Sequence, residues 1–187
     1  LHGTGNVLGV SSAASSSWQR AFVSAAQTDV VATNPMIQWL ETVADQSDGA
    51  AGAARQVAGA LVKYRHKVDA VVAGSDAEAI GAARSIGAAK VKAVVVGQQG
   101  GSDGINAIKS GEIDATINVM PYNQALIALA MIRDIAAGKT VPPVVHAPVQ
   151  LVTTDNLSQY VPWSMGLQEV ASGQLRPPTA ITPSMGG

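Results

Sequence analysis

Two short runs carry the polar chemistry of this chain. Gly74-Ser75-Asp76 follows the apolar stretch Ala70-Val-Val-Ala, and Gln98-Gln99-Gly100 follows Val94-Val-Val-Gly. Each ends a β-branched segment and opens a run of small residues with helical character. In an open α/β sheet, polar groups at the carboxyl ends of strands line the crevice where ligands bind. Hydroxyl, carboxylate and amide groups gathered on one rim can hydrogen-bond a small polar molecule. Gln98 and Gln99 either read ligand hydroxyls or are turn residues facing water. Ser75 either touches ligand or caps the helix that follows it. The serine-rich run 11–17, which includes Ser16, offers hydroxyls and a helix N-terminus, or is only a flexible turn. Trp18 and Trp39 can each present a ring face to a ligand or fill core. Trp18, just after the first strand, has the better claim. Trp163 is expected only to anchor the tail.

Other chemistries find no footing. The run Gln98-Gln-Gly-Gly-Ser-Asp-Gly has the outline of a phosphate cradle but lacks the Lys-Ser/Thr ending that reaches phosphate and metal. His2, His66 and His146 are far apart in sequence, and cysteine is absent. Neither metal-ligand spacing nor a nucleophile, base and orienting acid can be assembled. The expectation is a binding protein rather than an enzyme, with no metal and no cofactor.

These turns must be held by alternating strands and helices. The pattern predicts strands over 6–11, 29–34, 69–73, 91–97, 114–119 and 148–153. Helices are predicted over 16–26, 49–64 (capped by Asp48), 76–87, 103–109 and from Pro121 to about 138. Residues 36–47 read as irregular, although Ile37, Leu40 and Val43 can share one face of a short helix. Strands alternating with helices mean an α/β fold, an open parallel sheet with helices on both faces. Beyond Asp155 the periodicity fades, and 175–187 is rich in Pro, Gly, Ser and Thr, which reads as a wrapping or disordered tail.

Composition narrows the partners. Twelve basic and 13 acidic residues give a net charge of −1, with no basic run, so nucleic acid and acidic membrane surfaces have no electrostatic footprint here. No stretch reaches the ~18 uninterrupted apolar residues of a membrane span. Leu1-His-Gly-Thr-Gly does not read as a natural start, and the chain is expected to begin inside a longer protein.

The run Asn106-Ala-Ile-Lys-Ser-Gly-Glu-Ile-Asp-Ala-Thr-Ile-Asn-Val-Met-Pro-Tyr, then Gly138-Lys-Thr-Val-Pro-Pro and Val149-Gln-Leu-Val-Thr-Thr-Asp-Asn, closely resembles the periplasmic sugar-binding proteins of ABC transporters, the ribose-binding-like group. Gly5-Asn-Val and Ala70-Val-Val-Ala-Gly-Ser-Asp-Ala belong to the same resemblance, which covers residues 1 to 156 through the order of these pieces. It implies two α/β lobes around a ligand, with this chain starting at the second. Residues 1–115 and 143–160 would form that lobe, 116–142 a strand and helix returning from the first, and 161–187 a tail. The Leu126, Leu129, Ile132 and Ile135 face of that helix would then lack its usual sheet. Either a second chain supplies the first lobe or the sequence is incomplete.

The resemblance also implies ligand positions. Members commonly place an Arg after the first strand of this lobe, an Asn-Asp pair after the third, an Asp after the fourth and a Gln at the hinge. Those positions correspond to Ser16, Ser75-Asp76, Gln99 and Val119. Only Asp76 is retained, and in the family it often starts a helix rather than touching ligand. Losing the charged groups removes charge-assisted hydrogen bonds worth about 1.5–3 kcal/mol each, so a neutral sugar, polyol or related compound fits best. The implied function is solute binding for a bacterial importer, with a membrane permease as partner and a periplasmic or extracellular, optionally lipid-anchored, location. Two alternatives remain open: the effector-binding core of a LacI-type transcription regulator, and an α/β enzyme acting on a phosphorylated small molecule.

Overall fold

The structure is a computed structural model that describes residues 3–12, 16–45 and 49–179. Its elements are β1 (Gly5–Ser12), α1 (Ser17–Thr33), β2 (Ile37–Asp45), α2 (Ala50–Lys63), β3 (Ala70–Ala73), α3 (Asp76–Ala88), β4 (Val94–Gln99), α4 (Ser102–Lys109), β5 (Ala115–Asn118), α5 (Pro121–Ala136), β6 (Gln150–Thr153), a 3-10 turn (Thr154–Gln159) and α6 (Trp163–Ala171). They build one six-stranded sheet in the order β2-β1-β3-β4-β5-β6. The α/β expectation holds. Five strands run parallel, and β6 alone pairs antiparallel, Thr116 facing Val152 and Asn118 facing Gln150.

Alternation along the strands divides the core. Leu8, Val10, Val71, Ala73, Val95 and Val152 pack with Val57, Leu61, Ile105 and Ile108 of the helices on one side. Val7, Ala70 and Ile37 form a smaller cluster on the other, with Val30 of α1 and Trp39 beside them. Burying each large aliphatic side chain contributes about 1.5–3 kcal/mol, so the first side carries most of the stability. Trp39 is half-buried against this cluster, and its Nε1 donates to Thr42 Oγ1 at 3.1 Å.

Two elements differ from the sequence reading. Residues 29–33 are the last turns of α1 rather than a strand, and Pro35 follows the cap residue Asn34. Thr28 and Thr33 return their hydroxyls to the carbonyls of Ser24 and Asp29, at 3.0 and 2.6 Å, which accommodates β-branched residues within a helix. The second strand is instead β2, covering most of the stretch read as irregular. Its pairing with β1 slips between Val7–Trp39 and Leu8–Glu41, so Leu40 is an extra, bulged residue. That insertion breaks the period of two and leaves Ile37, Leu40 and Val43 three apart, the spacing that imitated a helix face. The predicted cap Asp48 lies outside the described residues, as do Leu1, His2 and residues 180–187.

The strand at 114–119 forms as β5, inside the sheet between β4 and β6, not apart from it. The chain leaves the sheet only at Met120, in the left-handed region at φ 42°, and Pro121 starts α5. Of the four apolar residues predicted to lack a partner on that helix, Leu126 is buried, while Leu129, Ile132 and Ile135 are 49, 63 and 58% exposed. The region beyond Asp155 is more regular than its pattern suggested. It forms a 3-10 turn and α6, and α6 docks on α5 with Gly166 against the Tyr122 ring, where a Cβ would not fit.

Candidate solute-binding rim

The carboxyl ends of β1, β3, β4 and β5 bring the two polar turns and Ser11 and Ser12 to one edge of the sheet. Val10 pairs with Ala73 and Val72 with Val96, which puts Ser11, Gly74 and Gln98 in one row on one face. Ser11 and Gln98 thus stand about 10 Å apart, two strand spacings, with the side-chain-free Gly74 between them. Gly74 borders the Gln19 carbonyl and the Glu78 carboxylate, 3.5 and 3.1 Å from where its Cβ would lie. Ser11 Oγ and Gln98 Oε1 are buried and have no hydrogen-bond partner among the described residues. A buried polar atom left unmatched costs about 1–3 kcal/mol, so such atoms mark positions that a solute or water can satisfy.

Gln99 is half-buried and sits at φ 126°, a left-handed backbone that a residue with a Cβ rarely adopts. Sparsely populated backbone of this kind persists where surroundings over-determine it. Here they do. The Gln99 carbonyl accepts the Val119 N–H at 3.0 Å, and Gly100, at φ 72°, packs directly on the Asn118 backbone. Val119 lies opposite, and its own carbonyl accepts from Gln124 Nε2 at 2.9 Å.

Asp76 holds this turn from below. Its Oδ2 accepts the N–H groups of Gly100 and Gly101 at 3.0 and 3.1 Å, and its Oδ1 accepts the Thr116 hydroxyl. Gly97 and Gly104 leave room for the carboxylate, since a side chain at either would run into it. Burial pushes the Asp76 carboxyl above its ordinary value, outweighing the hydrogen bonds from Thr116, Gly101 and Gly100 that pull it down, and Asp103 adds a smaller upward push. Ser75 is buried as well, and its Oγ accepts the Glu78 N–H at 3.2 Å as the cap of α3.

At the first strand, the Ser16 N–H and hydroxyl both donate to Gln19 Oε1 at 2.7 Å, closing the start of α1. Trp18, the second residue of α1, is 44% exposed. A separate hollow of about 320 Å³ lies between α1 and the ends of β1 and β2, and Ser11, Ser12, Arg20, Gln27 and Thr42 are among the residues lining it. Gln98 and Gln99 are not among its lining residues. Among the described residues no three His, Asp or Glu side chains converge in a way that could hold a metal.

Three participants escaped sequence reasoning. Asn118 is fully buried, and its Oδ1 accepts from Met120 N at 3.1 Å and Trp163 Nε1 at 3.0 Å. Tyr160 donates its hydroxyl to the Gly100 carbonyl at 3.0 Å. Trp163 therefore reaches the rim itself and does more than anchor the tail. The only signal for Asn118 was an amide at the end of an apolar strand just before Pro121.

Residues 1–140 match the sequence profile of the family described as "Periplasmic binding protein domain". The chain belongs to that family. The ribose import binding protein RbsB of Haemophilus influenzae is 30% identical over 93 residues, half of this chain and 32% of that protein. Among solved structures, the periplasmic ribose ABC transporter protein of Conexibacter woesei superposes with a TM-score of 0.73 at 21% identity, over 83% of this chain and 52% of its own. A solute-binding protein of Actinobacillus succinogenes with bound D-allose gives 0.72 at 20%, over 84% and 56%. The Caulobacter myo-inositol binding protein gives 0.69 at 22%, over 84% and 54%. At these identities the structural likeness speaks for the fold. This periplasmic binding domain spans about a third of the curated relative's length and just over half of the solved structures'.

Proposed function

We propose that this domain is part of the solute-binding component of a bacterial ABC importer, taking a small neutral sugar, polyol or related compound at the rim where β4 and β5 end. The observation that carries the reading is the row of Ser11 and Gln98, each with a buried, unmatched polar atom, beside the strained and braced Gln99. An amide both donates and accepts, so Gln98 and Gln99 can read hydroxyls without carrying charge. Ser16, Trp18 and Val119 are the flanking contacts. Asp76 and Ser75, with their oxygens engaged inside the domain, shape the rim rather than touch solute.

The exposed Leu129, Ile132 and Ile135 on α5 support a further lobe seated against that helix, with the cleft closing by hinge motion between the two. In this reading the sheet, β5 included, belongs to the second lobe together with residues 143–160, and α5 reaches toward the first. Its partner is a membrane permease, and it works in the periplasm or at the outer face of the membrane, without catalysis.

Calorimetry tests this with D-ribose, D-allose and myo-inositol against ribose 5-phosphate, at low and high salt. Binding of a neutral compound that changes little with salt is the expected result, because few exposed charges need screening. Tight, strongly salt-dependent binding of the phosphate alone would reject the neutral rim and favour the enzyme alternative.

A further inference from the structure

The segment after β6 is tied to the rim at two points, from residues far away in sequence. The Tyr160 hydroxyl donates to the Gly100 carbonyl at 3.0 Å, across 60 positions, and Trp163 Nε1 donates to Asn118 Oδ1 at 3.0 Å, across 45. The Trp163 ring also lies over Gly101, 3.8 Å from where a Cβ would stand. These contacts fall on two places where the backbone is left-handed. One is the β4–α4 turn with Gln99 at φ 126° and Gly100 at φ 72°, and the other is the β5–α5 exit with Met120 at φ 42°. Asn118 joins them, because the oxygen that takes the indole N–H also takes the Met120 N–H at 3.1 Å. Burial keeps the Tyr160 phenol above its ordinary value, so it is a protonated donor at neutral pH. The segment is itself fixed on α5, through Gly166 against the Tyr122 ring and through Arg133, whose guanidinium donates to the carbonyls of Pro178 and Thr179 at 3.1 and 3.3 Å.

We propose that residues 160–171 form a clamp that holds the β4–α4 turn and the β5–α5 exit in one fixed relation, with Tyr160 and Trp163 as positioning residues for the rim that binds solute. A left-handed residue with a Cβ is strained and relaxes unless its neighbours forbid it. Asp76 restrains the turn through its N–H groups, and Tyr160 restrains it through a carbonyl on the other side of the same peptide run. The clamp also links the turn to α5. Any shift of α5 is felt at Asn118 through Trp163, and at Gly100 through Tyr160. That the clamped turn is the solute-binding one rests on the function proposed above. The clamp itself does not.

The test uses the full chain with Tyr160→Phe, which deletes one hydroxyl, and Trp163→Phe, which keeps an aromatic ring but loses the donor. Amide hydrogen exchange is followed residue by residue, and D-ribose, D-allose and myo-inositol are titrated in parallel. Losing one such hydrogen bond should speed exchange about three- to tenfold, at Gly100 and Gly101 in Tyr160→Phe and at Met120 in Trp163→Phe, with α2 unchanged. Affinity for whichever of the three compounds the wild type binds should fall by a similar factor. Unchanged exchange at these amides in both variants, or an equal rise throughout the domain, would overturn the clamp. Faster exchange at the rim with wild-type affinity, or with no binding of any of the three, would leave the clamp standing and remove the rim as the solute site. Should either variant fail to fold, the other is read at its own amides by the same criterion.

Discussion

Asp76 and Thr116, forty residues apart, meet at the centre of the sheet, where the threonine hydroxyl donates to Oδ1 while the other carboxylate oxygen receives Gly100 and Gly101. This one side chain therefore joins the start of α3, the β4–α4 turn and β5. Asp76→Ala should leave three donors facing an apolar gap. Each orphaned donor costs about 1–3 kcal/mol, so urea unfolding should show a loss at or above the top of that range. Thr116→Val removes one donor only and should cost about 1–3 kcal/mol. A loss below 1 kcal/mol in Asp76→Ala would mean that the turn is held by other contacts.

The pH dependence of Asp76 has a definite sign. Its carboxyl lies above its ordinary value of about 4 in the folded chain, so in the interval between the two values the folded state binds more protons. Stability attributable to this group is present below that interval, falls as pH rises through it, and is flat above. Asp76→Asn keeps an acceptor for Gly100 and Gly101 and can donate to the Thr116 oxygen without a buried charge. The wild type should lose stability relative to Asp76→Asn as pH rises through the interval. A relative gain would show that the three hydrogen bonds outweigh burial.

Asp134 has the opposite sign. Hydrogen bonding to Arg133 holds its carboxyl below the ordinary value, with Lys139 adding to the effect. Its contribution is present above the ordinary carboxylate value and is lost as pH falls through the lowered one. Because Arg133 also grips Pro178 and Thr179, the protection of the Gln174, Leu175, Arg176 and Thr179 amides, taken relative to an unstructured chain at the same pH, should fall at acid pH in the wild type. In Asp134→Asn that protection should be low at every pH. A wild-type profile that is flat down to pH ~3, below the ordinary aspartate value, would separate Asp134 from the tail.

Gln99→Ala should weaken solute binding by about 1–3 kcal/mol, the cost of leaving a buried polar partner unmatched, and should not lower stability without solute. Wild-type affinity in Gln99→Ala would move attention to the serine-rich hollow under α1.

Much of the fold was legible because most strands end in glycine or polar turns and some helices carry clear start signals, such as the Ser75 cap of α3 and Pro121 in the first turn of α5. The second strand was not, because the Leu40 bulge replaces alternation with a three-residue spacing. Nor was the end of α1, whose threonines look like strand residues until their hydroxyls are seen returning to the helix carbonyls. At the rim, the polar turns stood out, since polar residues closing apolar strands have few other uses. What holds them could not be read. Tyr160, Trp163 and Asn118 reach the rim through contacts spanning 45 and 60 positions, and α6 presents only Trp163, Gly166 and Val170 as a sparse face.

The central claim is that the β4 and β5 ends bind a neutral solute, and backbone and side-chain amide chemical-shift mapping tests it most directly, because it registers weak binding by a partial cleft. Titration with D-ribose, D-allose and myo-inositol should shift the amides of Ser11, Gln98, Gln99, Gly100 and Val119, with the largest changes at the two glutamine side chains. Saturating shifts confined to other parts of the domain, or shifts at the rim produced only by ribose 5-phosphate, would contradict it.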